Sequence, residues 1–412
     1  MKKHLPLVLI FLSLLFASCP SEPETFNLTD STALDYFINN NLSAGWNLGN
    51  TLDAHRNGVG GETEWVGTAV NQALMNGVKA AGFNLIRIPV TWGDFGAAPD
   101  YTIKTARLNR VAEVVNMAHT AGFTVIINIH HDDNYWLSVK KARDSASDKA
   151  QIDAQFRRVW EQIAAHFKDY DQWLMFESMN EIQDGRWGWS DDFRTANGAR
   201  AQFAILNNWN QIFTDVVRST GGNNETRFLV IPSYATIPEC TYPGGRIKDH
   251  PVQRIGDNFE LPVDPSPGRQ VVTFHYYRPD NVGLGGGNNR PARSDWGTPQ
   301  DKNTIDNDFK PFKEYFIDRN IPVIIGECGA SRQVYSSDPA KQTQAHNSRK
   351  AYLAHIFGTA KKYGLVPVYW DNGSTTPDQY NGESFGLFSR TTGQANSSES
   401  RECIEAMINA IK

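Results

Sequence analysis

Two stretches of the chain carry carboxylic acids where an apolar run stops. Leu174-Met-Phe-Glu-Ser-Met-Asn-Glu181 ends in an amide and an acid, and Pro322-Val-Ile-Ile-Gly-Glu327 ends in a second glutamate. An acid at the tip of a buried strand needs a chemical reason, and proton transfer between two such acids supplies one. Cleaving an acetal between sugars requires one acid to protonate the leaving oxygen and one carboxylate to meet the positive charge at the anomeric carbon. Oxygens about 5 Å apart let one acid attack directly and retain configuration; about 6.5–9.5 Å admits a water and inverts it. The two must begin in different protonation states, so their surroundings must differ. A cation such as Arg87 beside one keeps it ionised, while apolar walls and that negative charge raise the pKa of the other. Spacing along the chain does not say which glutamate Arg87 faces.

Bringing Glu181 and Glu327 together requires a scaffold, and the chain reads as one. Short apolar or β-branched runs recur at 43–50, 85–90, 124–131, 174–181, 228–234, 271–277, 322–329 and 366–373, each ending in polar or aromatic residues. Helical stripes separate them: Val66, Val70, Ala73 and Val78 first, then Val111, Val114, Val115 and Ala118, then Phe156, Val159, Trp160, Ile163 and Phe167. Leu206, Trp209, Phe213 and Val216 follow, then Phe309, Phe312 and Phe316, then Leu353, Ile356 and Ala360, and Ile404, Met407, Ile408 and Ile411 close the chain. Only 235–270, rich in Pro, Gly and Asp, shows no helix. Strand and helix alternating eight times predict an α/β fold, a single (β/α)8 TIM barrel with long βα loops, over 36–412. Functional residues then belong at the C-terminal strand ends. In order these carry Asn47, Arg87, His130 with His131, Asn180 with Glu181, Ser233 with Tyr234, His275 with Tyr277, Glu327, and Trp370 with Asp371.

Several of these residues have plainer readings. Glu177 shares the face of Glu181 but lies four residues deeper, which suits a buried structural hydrogen bond. The pair His130-His131 invites a metal, yet zinc hydrolases on such a barrel need more His and Asp ligands from several strands, so no metal or other cofactor is expected. Asp132, Asp133 and Asp371 are expected to orient neighbours or stay solvated. Cys328 adjoins Glu327, but strand alternation turns it away, and Cys240, Cys328 and Cys403 are too few and too scattered for a disulfide framework. Among the 11 Trp, Trp46, Trp65, Trp160, Trp173 and Trp209 fall on strand backs or helical stripes and are expected in the core. Trp92, Trp136, Trp187, Trp189, Trp296 and Trp370 follow strand ends, where a flat indole can pack on a pyranose.

The net charge of -5 over 412 residues and the lack of a basic stretch beyond Lys2-Lys3-His4 speak against a nucleic-acid surface. Residues 1–19 have the order of an export signal: Lys2 and Lys3, an apolar run over 5–16 too short to span a bilayer, then Ala17-Ser18-Cys19. A cysteine after Ala-Ser resembles the bacterial lipoprotein box, with Phe16 in place of the more usual Leu. Export to the cell envelope or beyond is expected, with membrane contact only through lipid on Cys19. Residues 20–35 read as a polar, Pro-bearing tether. A monomer is expected.

Taken together, Arg87 in Ile-Arg-Ile-Pro, His130 in Ile-Asn-Ile-His-His, Asn180-Glu181, His275-Tyr-Tyr277, Gly326-Glu327 and Tyr369-Trp370-Asp-Asn-Gly373 resemble the signature positions of glycoside hydrolase family 5. Gly45-Trp-Asn-Leu-Gly-Asn-Thr51 resembles its endoglucanase branch, which also holds xyloglucanases and lichenases. The likeness runs from about residue 40 to the end. It implies a retaining endo-β-1,4-glucanase with Glu181 as general acid/base and Glu327 as nucleophile. It further implies that Arg87 and Tyr277 hold Glu327, His275 supports Glu181, Asn180 bonds the sugar 2-hydroxyl, and Trp370 is the floor beneath that sugar. His130 is expected to support the site, and His131, Asn47 and Trp136 to bind the β-glucan substrate. One departure stands out: Arg278-Pro-Asp-Asn-Val-Gly-Leu-Gly-Gly-Gly287 replaces the aromatic-rich continuation usual in that branch. A β-mannanase or other β-glycanase on the same scaffold is the alternative, and a glycan-binding lipoprotein without catalysis is the reading from a different class.

Overall fold

The computed structural model describes residues 32–185, 190–285, 292–376 and 383–412. Eight parallel strands close into a barrel: β1 (Gly45–Leu48), β2 (Leu85–Ile88), β3 (Thr124–Asn128), β4 (Leu174–Glu177), β5 (Leu229–Pro232), β6 (Gln270–Tyr276), β7 (Val323–Cys328) and β8 (Val366–Asp371). Each pairs with its neighbours in sequence, and β8 closes onto β1 with Asn47 opposite Trp370.

Alternation sorts the strand residues into two layers. Leu85, Ile126, Met175, Val230, Val271, Ile324 and Val368 fill the barrel interior, whereas Trp46, Ile86, Val125, Phe176, Ile231, Phe274 and Ile325 pack outward against the helices. The interior is plugged from below by α1 (Ala33–Asn39), whose Ala33 and Phe37 join that inner cluster. Tyr36 fixes its position through Thr124 at the start of β3 and the ring of Phe228, and Ala33 N donates to Gly268 O. This helix begins inside the stretch expected as tether, so the barrel body takes in residues 32–35 as well. The signal and the rest of the tether lie outside the described residues.

Helices α2 (Gln72–Ala80), α3 (Thr105–Thr120), α4 (Ala146–His166), α5 (Ala196–Ser219), α6 (Pro299–Tyr315), α7 (Pro339–Tyr363) and α8 (Ser398–Ala410) form the outer layer. Most start at a side-chain cap: Asn71, Ser145, Thr195, Thr298, Asp338 and Ser397 each accept from a backbone N–H of the first turn. The β5–β6 crossover, expected to lack a helix, holds one short turn of α-helix, Pro238–Thr241. The first stripe is misread: Val66 precedes α2 and Ala73 is exposed, while Leu74, Met75 and Val78 form the buried face.

Candidate active site

Arg87 organises the C-terminal mouth. It stands on β2 fully buried, which is tolerable for a guanidinium only when every arm is matched. Its Nε donates to Glu177 Oε2 at 2.7 Å, Nη1 to Glu327 Oε1 at 2.9 Å and to Asn47 Oδ1 at 3.1 Å, and Nη2 to Asn180 Oδ1 at 2.8 Å. The sequence left open which glutamate Arg87 would face, and the geometry answers Glu327. Glu177 is the buried structural partner its depth suggested, also receiving Asn128 Nδ2 at 2.8 Å.

Glu327 reaches this network through a β-bulge. Ile325 pairs with Phe274 and Glu327 with His275, so Gly326 is the extra residue, and the pairing with β8 slips at the same place. In regular alternation Ile324 and Gly326 would face the interior and Glu327 the helices. The bulge puts Glu327 on the inner side too, and Cys328 then returns to the outer layer. Only glycine fits there: a Cβ at 326 would lie 2.6 Å from Thr273 Oγ1 and 3.0 Å from His275 Nε2.

Glu181 approaches from the loop after β4. Its Oε1 sits 2.7 Å from His275 Nδ1, and a carboxylate oxygen of each glutamate and a ring nitrogen of His275 lie within 4.8 Å of one another. Tyr277 donates its hydroxyl to Glu327 Oε2 at 2.9 Å.

The electrostatics separate the two acids. Burial pushes Glu181 up to about 7, against the pull of Arg87, so it holds its proton near neutrality. Burial also raises Glu327, but Arg87 and the Tyr277 hydroxyl both favour its charged form. With one buried cation donating to Glu327 and to Glu177, the third carboxyl, Glu181, is the natural holder of the proton. Burial lowers His275 to about 4, leaving a neutral imidazole beside Glu181.

The glutamates open onto a cleft of about 1200 Å³. Trp370 lies parallel to His130, with ring centroids 5.8 Å apart and planes at 10°. Gly49 leaves room for that indole, since a Cβ there would meet Trp370 Cζ2 at 2.9 Å. His130 Nδ1 faces Asn128 Nδ2 at 3.2 Å, which as an acceptor would place its proton on Nε2. Asn180 spends its oxygen on Arg87 and keeps its Nδ2 to offer. His131 also lines the cleft.

Two expected substrate residues do not line it. Asn47 is fully buried, accepting from Arg87 and donating Nδ2 to Gly326 O at 2.9 Å, so it braces the bulge from beneath. Trp136 donates to Asp132 Oδ1 at 2.8 Å and packs edge-on against Phe95, holding its own loop. Trp92 and Trp296 are buried as well. Trp187 and Trp189 lie outside the described residues, as does most of the glycine run after Tyr277.

Conversely, Trp65 is no core residue. It is 43% exposed, lines the cleft, and continues a series of rings: Trp370, His130, His131, Trp65, His55 and the exposed Tyr135. Thr236, Asn50, Phe385 and Arg390 were also missed. The signal for Trp65 was its setting, Gly61-Glu-Thr-Glu-Trp65-Val-Gly67, between a strand end and a helix that starts only at Gln72. Among the described residues, Glu181, His275 and Glu327 are also close enough to share an ion. Their direct contacts with one another and with Tyr277 and Arg87 already account for the arrangement.

A family model, cellulase (glycosyl hydrolase family 5), matches residues 52–376. The chain is 35% identical over 389 residues to endoglucanase A of Paenibacillus barcinonensis, covering 91% of this chain and 90% of that protein. It is 31% identical to a xyloglucan-specific endo-β-1,4-glucanase of Bacteroides ovatus, covering 94% and 72% respectively. A solved broad-specificity endoglucanase from Bacteroides salanitronis superposes with a TM-score of 0.78 at 40% identity, covering 95% of this chain and 98% of that one. A paired-glutamate mouth on a (β/α)8 barrel and a match over most of its length thus agree, and the chain belongs to glycosyl hydrolase family 5, the cellulase family.

Proposed function

We propose that the protein is a retaining endo-β-1,4-glucanase that cleaves internal bonds of β-glucans, of cellulose, mixed-linkage or xyloglucan type. The observation that carries this reading is that an oxygen of Glu181 and an oxygen of Glu327 lie within 4.8 Å of each other, which supports the close spacing of a retaining pair over the wider spacing that admits a water. Glu181, held protonated, gives its proton to the leaving oxygen while ionised Glu327 attacks the anomeric carbon from the opposite face. Glu181, then a carboxylate, draws a proton from water, which displaces Glu327 with a second inversion. The open cleft and the rings from Trp370 to Trp65 suit a polymer bound along its length, and the names of the relatives support the same substrate class.

Initial-rate assays on carboxymethylcellulose, lichenan, xyloglucan, xylan and glucomannan test the substrate, with Glu327→Ala as control. Preference for glucomannan would favour the mannanase alternative, and binding without reducing-sugar release would favour the glycan-binding one. Proton NMR of fresh product is expected to show the β-anomer first; the α-anomer first would refute the double displacement.

The order of residues 1–19 and Ala17-Ser18-Cys19 support a reading as an exported cell-envelope lipoprotein carried by lipid on Cys19, and we propose that it acts as a monomer. Labelled fatty acid incorporated by the wild type and lost in Cys19→Ala tests the anchor. Size-exclusion chromatography with light scattering tests the oligomeric state.

A further inference from the structure

Beyond β5 the backbone does something costly beside the acid. Ala235 has φ 50° and ψ 20°, and Thr236 follows with φ 51°. Two consecutive non-glycine residues in the left-handed region are unusual, and a β-branched one there is an outlier. Such strain persists where surrounding structure imposes it, and it gathers at functional sites. Here Ala235 N donates to Ile182 O at 3.0 Å, tying the strained pair to the residue after Glu181. Thr236 is fully buried yet lines the same cleft as Glu181. Its hydroxyl donates to its neighbour's carbonyl, Ala235 O, at 2.6 Å, and lies within reach of the Glu181 carboxyl.

We propose that Thr236 is a positioning residue for the acid/base: its hydroxyl rests on Ala235 O while Glu181 is protonated and turns to donate to Glu181 once the proton has left. This rests on Glu181 being the acid/base. One hydroxyl with two alternative acceptors matches a group that must be an acid in one half-reaction and a carboxylate in the next. The other charged or titratable groups facing Glu181 are Arg87 from β2, Glu177 from β4, His275 and Tyr277 from β6 and its end, and Glu327 from β7. None of them alternates between two acceptors in this way, because Arg87 is committed to four partners, Tyr277 donates to Glu327, and His275 faces Glu181 through Nδ1 at 2.7 Å in one fixed contact. A donor to the charged form lowers the acid's pKa, so deleting the hydroxyl raises it.

The test compares Thr236→Val, Thr236→Ala and Thr236→Ser. The basic limb of kcat/KM on lichenan is expected to move up by about one pH unit in Val and Ala, the size of one hydrogen bond to a charged group. Ser keeps the wild-type limb. A 13C NMR titration of the Glu181 carboxyl, assigned by its loss in Glu181→Gln, reads the same shift without turnover. An inactive wild type whose Glu181 still titrates higher in Thr236→Val would sink the glucanase reading alone. An unmoved Glu181 titration in both Val and Ala, or a Ser variant shifted as far as Val, would overturn the role of Thr236. The Ala variant, smaller than the native residue, keeps the comparison decisive if Val fails to fold.

Discussion

Replacing Gly326 with alanine probes the link between a strand irregularity and the chemistry. The added methyl would sit 2.6 Å from Thr273 Oγ1 and 3.0 Å from His275 Nε2, both closer than ordinary contact. Both neighbours are confined: Thr273 is fully buried on β6, and His275 sits 2.7 Å from Glu181. Overpacking of this kind costs about 1–3 kcal/mol. Relief comes most easily by pushing the imidazole outward, which lengthens its contact with Glu181 and disturbs the acid more than the nucleophile. A displacement of ~1 Å at a catalytic group can cost about 100-fold in rate. The assay is kcat/KM for Gly326→Ala on lichenan and on 2,4-dinitrophenyl β-cellobioside, whose leaving group needs no proton, alongside thermal unfolding. The expected result is a loss of about 100-fold on lichenan, a clearly smaller loss on the aryl glycoside, and a lower Tm. Wild-type kinetics and Tm would refute the reasoning, and equal losses on both substrates would refute the route through His275.

Further expectations follow from the same geometry. Tyr277→Phe removes a 2.9 Å donor to Glu327; a bond to a charged group is worth about 1.5–3 kcal/mol, so kcat/KM falls roughly 10–100-fold and the acid limb moves to higher pH, as the pH–rate profile would show. In the wild type the basic limb of kcat/KM lies near 7, where Glu181 loses its proton; a profile flat from pH 6 to 9 would contradict this assignment. Trp65→Ala loses a stacking surface worth about 1 kcal/mol, so KM rises about fivefold on cellohexaose and less on cellotriose, measured by product chromatography. Glu181→Ala loses more activity on polysaccharide than on activated aryl glycosides, and azide rescues it as a β-glycosyl azide; equal loss without rescue would remove Glu181 from the acid role.

The barrel and its catalytic pair were legible because strand ends and helical stripes are local signals. Arg87, His275, Tyr277, Glu181 and Glu327 each follow an apolar run, and a closed parallel barrel brings all such ends to one rim. What sequence could not show was depth. Asn47 and Trp370 are neighbours in register, yet the smaller side chain is sealed beneath the site while the indole forms part of its wall. Nor does period-2 alternation announce a bulge: Gly326 looks like any strand glycine until the pairing on both sides slips. Trp65 was misplaced because Val66 and Val70 mimic a helical stripe one turn before α2 begins. Loops after β1 and β8 supply Trp65, Phe385 and Arg390 to the cleft, where no strand end announces them.

The plug formed by α1 bears on how the enzyme meets its substrate. Because that helix closes the end of the barrel opposite the glutamates, the C-terminal mouth is the side from which a sugar chain reaches them. A long, stiff polymer must therefore lie across that mouth and cannot thread through the barrel.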